Sequence, residues 1–201
     1  HFLTKFKRKF RLKLFFVTTW VPLNLFFRNY IRKKTVREKK MNTISRLLIS
    51  FGAVAVTAAA SSYFTLSGIT GWYSMAEKSP LTPPSEWFRI IWGILYLLMA
   101  FSYYLVLGKP RTAKTLEAGR LFFSQLLFQM VWCFCFFYLG YTGAGIAVLL
   151  FLAWTVRRMI GSFAQIDKFA AALNYPYFIW LLFALWLNIS FVWLNGASVE
   201  I

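Results

Sequence analysis

The 201-residue chain is 59% hydrophobic and 21% aromatic, with 14% charged residues and a mean hydropathy of +0.58. A soluble domain carries about 25% charged residues, so the composition excludes an ordinary soluble protein; it leaves room for about five or six membrane helices and for no separate soluble domain. The net charge of +17 sits on basic residues beside apolar runs, which suits anionic lipid headgroups and argues against nucleic acid as a partner.

In chain order, the first forty residues are set apart. HFLTKFKRKFRLKL is strongly basic, LFFVTTWVPLNLFF is apolar but broken by Pro22, and RNYIRKKTVREKK is basic again. The middle run is too short for a span, and three readings fit it: an interfacial anchor, a targeting extension, or sequence outside the functional protein. Met41 opens a plausible leader, MNTISR, into the first span. It favours the last reading, with residues 1–40 a basic extension and 41–201 the membrane domain. A middle run that crossed would make six helices and undo the orientation argued below.

The first apolar span runs from about Leu47 to Leu66 and is rich in small residues, GAVAVTAAASS. The connection after it, WYSMAEKSPLTPPS, holds two aromatics, a charged pair and three prolines before the next span. Proline fixes its own φ and pushes the preceding residue to extended backbone, so this loop is built to hold a shape. The second span, about Trp87 to Leu107, stacks Trp92, Tyr96, Met99 and Tyr103 on one helical face. The third, about Leu121 to Leu139, does the same with Gln125, Gln129, Trp132 and Phe136. The fourth covers about Ala144 to Phe163. The fifth, about Tyr177 to Leu194, carries the stripe Trp180, Ala184 and Asn188, with Tyr177 just before it. Two readings fit these stripes: helix packing glued by amides, or a cavity of flat aromatic faces with a few amides to orient a ligand.

Five spans make an all-α integral membrane protein, a five-transmembrane-helix bundle. They put Lys109, Arg111, Lys114, Arg120, Arg157, Arg158 and Lys168 on the side of the N-terminus, and leave Lys78 and Arg89 on the other. The positive-inside rule then sets the N-terminus in the cytoplasm. Together with the leader at Met41, this asymmetry points to a bacterial inner membrane, with a mitochondrial outer membrane as the alternative.

Catalytic chemistry is sparse. The one histidine is His1, and the six acidic residues are scattered over connections and span ends. No Ser-His-Asp set, paired carboxylates or metal-ligand cluster can be assembled within the spans, which disfavours hydrolysis and metal catalysis. Cys133 and Cys135 point about 200° apart on a helix and read as packing residues.

Trp72-Tyr73, Lys78-Ser79-Pro80, Pro83-Pro84, and Trp92 with Leu95-Tyr96 resemble the signature of the TspO/translocator protein family, also called peripheral benzodiazepine receptors. The Gln125–Trp132 segment, IDKFAAALNYPYFIW at 166–180 and FALWLN at 183–188 follow in the family's order. The resemblance implies a homodimeric five-helix protein that binds protoporphyrin IX or haem as ligand, requires no cofactor, and serves porphyrin sensing, transport or homeostasis. It carries the ligand site onto Trp92, Tyr96, Gln129, Trp132, Trp180, Ala184 and Asn188. The 67–86 loop, with Trp72, Tyr73, Lys78, Pro83 and Pro84, is then a lid over the cavity. Light- and oxygen-dependent porphyrin breakdown is a second implied activity, with Trp92 and Trp180 as redox-active rings, and a structural membrane partner a third. The sequence departs from the family at Gln129, where asparagine is usual, and at Leu81, Trp87, Arg89, Ile90 and Leu150. The stretch from Leu187 to Asn195 lacks the tyrosine and basic residue of the animal sterol pattern.

Overall fold

In the computed structural model of the protein, residues 41–199 are described; the reading of residues 1–40 lies outside them. Helix α1 is Thr43–Ile69, α2 is the single turn Trp72–Met75, and α3 is Ser85–Leu107. Helix α4, Ala113–Cys133, continues into a π-helical turn at Phe134–Tyr138, and α5 is Thr142–Ala164. The fifth span is divided into α6, Lys168–Ala172, and α7, Tyr175–Asn195. Among the described residues, five segments are thus long and apolar enough to cross a membrane, as the five-helix expectation requires of this part of the chain.

Local chemistry sets the helix ends. The Asn42 side chain accepts the Ser45 amide at 2.7 Å to start α1. Helix α4 begins at Ala113 and not at the expected Leu121, because Thr112 and Thr115 cap each other's amides reciprocally. Lys114, Glu117 and Arg120 lower the hydropathy of that first part but not its helicity. Pro176 stands in the first turn of α7, where a missing N–H leaves nothing unpaired.

Around the bundle the helices run α3, α1, α4, α5, α7, and α7 meets α3 again only sparsely. The inward stripe of α1 is small: Ser50, Val54, Thr57, Ser61 and Gly68 are buried. Ser50 and Thr57 return their hydroxyls to the Arg46 and Ala53 carbonyls at 2.7 and 3.0 Å, so α1 approaches its neighbours closely with no polar group left over at those two positions. Large apolar side chains such as Leu97, Phe151, Ile179 and Trp193 face outward, where lipid replaces water as their solvent.

The end of the bundle carrying Asn42 and the 108–112 and 165–167 connections, called the basic end below, is tied by polar contacts. Arg46 donates to the Tyr104 carbonyl at 3.0 Å and lies 4.0 Å over its ring. Asp167 caps α6 by accepting the Phe169 and Ala170 amides, both at 3.0 Å, and pairs with Lys109 at 2.6 Å. The Lys109 ammonium, and after it the backbone amides, hold the Asp167 carboxyl below its ordinary value. A lowered folded-state pKa contributes stability above the unfolded value, lost as pH falls through the folded one. Thermal unfolding between about pH 6 and about pH 3 should therefore show wild type losing more stability than Asp167→Asn, which keeps a capping side chain without the charge. Parallel curves would show that the pair contributes nothing.

The opposite end, the loop end, is closed by the first connection and the residues after α7. Gly140, at φ 66°, makes the tight turn from the π-helical segment into α5. Val199 donates to Gly140 at 3.1 Å, and Gly143 donates to Ala197 at 2.8 Å.

Candidate ligand-binding site

The aromatic stripes of α3, α4 and α7 converge inside the bundle. Trp92 is the hub: its ring centroid lies 5.4 Å from Tyr96, 6.1 Å from Tyr177, and 6.5 Å from both Trp132 and Trp180. Trp180 stands at 90° to Trp92 and also meets Phe88 of α3 at 5.5 Å. These indole contacts bridge the sparse α3/α7 seam. Their separations are those of offset and edge-to-face aromatic pairs.

Two amide networks fix the cluster. Asn188 accepts the Trp132 indole N–H at 3.2 Å and donates to the Thr142 carbonyl at 2.9 Å, joining α4, α5 and α7. The close packing of Gly145 permits this, since a Cβ there would stand 2.7 Å from the Asn188 oxygen. In the second network the Tyr177 hydroxyl faces Gln125 Oε1 at 3.1 Å and Gln129 Oε1 at 3.3 Å. One phenolic proton serves two carbonyls, so each accepts it in turn. Among the described residues, the Gln side-chain N–H groups meet only the sulfurs of Met99 and Cys133, at 3.8 and 3.7 Å, which are weak acceptors.

Two buried polar atoms beside these rings lack a partner among the described residues: the indole nitrogen of Trp180 and the hydroxyl of Ser61. Ser61 lies beside Tyr96 and Cys133. A buried donor without an acceptor costs about 1–3 kcal/mol, and a bound acceptor would remove that cost. The donor set therefore suits a flat, mostly apolar ligand with hydrogen-bond acceptors.

The residues expected to form a lid lie at the loop end and connect to this cluster through rings. Trp72 is 7% exposed and donates its indole N–H to the Phe137 carbonyl at 2.9 Å; the π-helical turn leaves that carbonyl available. Tyr73 stacks on Phe191 at 5.5 Å and 15°, and its burial pushes the phenol pKa up. Lys78 donates to the Ser74 and Ala76 carbonyls at 3.3 and 3.2 Å and lies 5.0 Å over the Tyr73 ring. Pro84 sits extended at the head of α3, with Pro83 just before it. Phe136 touches both Trp72 and Trp132, each at 6.0 Å, so lid and cluster share one continuous aromatic run. Asn195 fastens the loop to α7: it accepts the Glu77 amide at 3.0 Å and donates to the Glu77 carbonyl at 2.8 Å.

Every residue expected at the site lies in the cluster or its wall. Trp92, Tyr96, Trp132 and Trp180 form the rings, Gln129 and Asn188 the amides, and Ala184 is a buried small residue between Trp180 and Asn188 on α7. The sequence reading left Ser61, Phe191 and Asn195 out. Phe191 is one turn beyond Asn188 and could have been found by extending that stripe, whereas the lone Ser61 and the helix-terminal Asn195 carry no such signal. Of the departures, Leu81, Trp87 and Leu150 are 64%, 59% and 53% exposed and stand outside the cluster. Arg89 pairs with Glu86 at 3.5 Å.

Comparison with known proteins bears on the same segment. Residues 50–194 match the model of the TspO/MBR family. The chain is 32% identical over 153 residues to the tryptophan-rich protein TspO of Archaeoglobus fulgidus, covering 76% of this chain and 99% of the relative. It is 28% identical over 153 residues to the tryptophan-rich protein TspO of Chlorobaculum tepidum, covering 76% and 97%. To the translocator protein of Ovis aries it is 32% identical over 120 residues, covering 58% of this chain and 70% of the relative.

Proposed function

The chain belongs to the TspO/MBR family, membrane proteins of the sensor and receptor kind, and from that premise we propose that it binds a tetrapyrrole, protoporphyrin IX or haem, among Trp92, Tyr96, Trp132 and Trp180, in the service of porphyrin sensing or transport. The observation that carries the reading is the buried, unpartnered indole N–H of Trp180 within a cluster of aromatic faces. A ring system offers those faces apolar area, and its carboxylates or carbonyls offer the indole an acceptor. Because the rings touch, a ligand enters by parting Trp92 from Trp180 along the sparse α3/α7 seam while the 70–84 loop lifts. The same reading has the basic end in the cytoplasm. It also has two copies pairing in the membrane, for which the apolar groove of about 390 Å³ at Ala147, Leu150, Phe151 and Trp154 of α5 offers a contact face.

Trp180→Phe tests the donor directly, since it keeps a ring and removes the N–H. In a dark titration of the detergent-solubilised full chain with protoporphyrin IX, the dissociation constant should rise roughly 3–10-fold in this variant. Trp92→Phe, which trims the central ring, should weaken binding as well. Binding that is non-saturable, or equal in all three proteins, would end the tetrapyrrole reading. Illumination of the same samples tests the alternative, porphyrin breakdown at the Trp92–Trp180 pair, by loss of porphyrin absorbance that depends on both residues.

A further inference from the structure

A second cavity, of about 470 Å³, opens at the basic end, away from the lid and outside the aromatic cluster. Its lining comes from the start of α4, the last two turns of α5 and the first turn of α7. Lys114, Arg157 and Arg158 line it against a single carboxylate, Glu117. At 1.5 Å of rise per residue, Arg157 and Arg158 lie about 10 Å inward of the α5 terminus at Ala164. Cations at that depth are costly unless they reach the headgroup layer or meet an anion.

The protein itself supplies little compensation. Glu117 meets Arg158 at 3.9 Å with both side chains more than half exposed, a pair of small worth. Arg157 and Lys114 have no ion-pair partner among the described residues. Trp154, one turn earlier on α5, lies 5.5 Å from the Arg158 guanidinium, a cation–π contact that supplies no counter-charge. Ile160 and Phe178 form an apolar wall beside this charge, and Ser162 adds a hydroxyl. Cationic mouth and apolar wall together match an anionic head on a hydrocarbon tail.

We propose that this cavity binds a phosphate group, held by Arg157, Arg158 and Lys114, with an anionic phospholipid as the source that also uses the apolar wall. The proposal stands independently of porphyrin binding. Guanidinium groups take two phosphate oxygens at once, and three cations exceed what a single carboxylate ligand would balance.

The test is thermal unfolding of the full chain in detergent, with added phosphatidylglycerol, phosphatidylcholine or soluble glycerol phosphate. Phosphatidylglycerol should raise the midpoint of wild type by roughly 3–6 °C, and phosphatidylcholine should not. Arg157→Gln/Arg158→Gln should lose that rise. Arg111→Gln/Lys168→Gln, the same charge change at the same end outside the cavity, should keep it. Lys114→Gln, at an exposed position on α4, gives a milder variant in case the double Arg substitution does not fold, and should halve the rise. A rise with glycerol phosphate as well, lost in the same variants, supports the site with free phosphate as its source. An equal rise in the cavity and control variants, an equal rise with phosphatidylcholine, or no rise with any addition overturns it.

Discussion

Replacing Gly68 by alanine should destabilise the bundle by roughly 2–3 kcal/mol and weaken tetrapyrrole binding at the same time. A Cβ at Gly68 would stand 2.5 Å from the Phe137 carbonyl oxygen and 3.0 Å from its carbon and Cα. The obstacle is backbone, so no rotamer change relieves it, and either α1 or the π-helical turn has to shift. The displaced oxygen is the one that accepts the Trp72 indole N–H at 2.9 Å, and hence the substitution also loosens the lid. Gly52→Ala on the same helix is the control: nothing lies within 4 Å of its Cβ, and helix propensity alone predicts a gain of up to about 1 kcal/mol. Thermal unfolding in detergent with a porphyrin titration on both variants would decide it. Equal midpoints for the two alanines would mean that the Gly68 contact yields freely.

Removing the Tyr177 hydroxyl should have the next largest effect. Tyr177→Phe leaves Gln125 Oε1 and Gln129 Oε1 without their donor in an interior where these residues are 0% and 1% exposed. Hydrogen bonds between membrane helices contribute modestly when intact, but the shared phenolic proton satisfies one of the two carbonyls at a time, and its loss adds one unmet buried acceptor at a cost of roughly 2 kcal/mol. Removing the stranded amides as well should restore much of the loss, because replacing all partners by apolar groups of similar shape is close to neutral. The triple variant Tyr177→Phe/Gln125→Leu/Gln129→Met should therefore unfold above the single variant. A single variant as stable as wild type would show that the network carries no net energy.

The sequence showed some of this plainly and hid the rest for definite reasons. Five spans were legible because each is an apolar run near the length a bilayer demands, while the start of α4 was hidden by Lys114, Glu117 and Arg120, whose helix is set by a cap and not by hydropathy. Trp92, Tyr96, Trp132 and Trp180 were legible as stripes at helical spacing. Their partners were not: the bond from Trp132 to Asn188 spans 56 residues and that from Tyr177 to Gln125 spans 52, and single-helix periodicity says nothing about which faces meet. The π-helical turn at Phe134–Tyr138 has no hydrophobic period to announce it. Leu150 lies on the outward side of α5, a face that the stripes left unassigned.

The latch between Asn195 and the lid joins a side chain to a backbone. Both of its hydrogen bonds fall on the Glu77 amide and carbonyl, and neither involves the carboxylate. Every residue except proline offers the same two groups at position 77, so this fastening leaves the loop's sequence free to vary there while depending on one asparagine at the end of the last helix. Position 77 can accordingly change without rebuilding the fastening, with the burden of constancy placed on position 195.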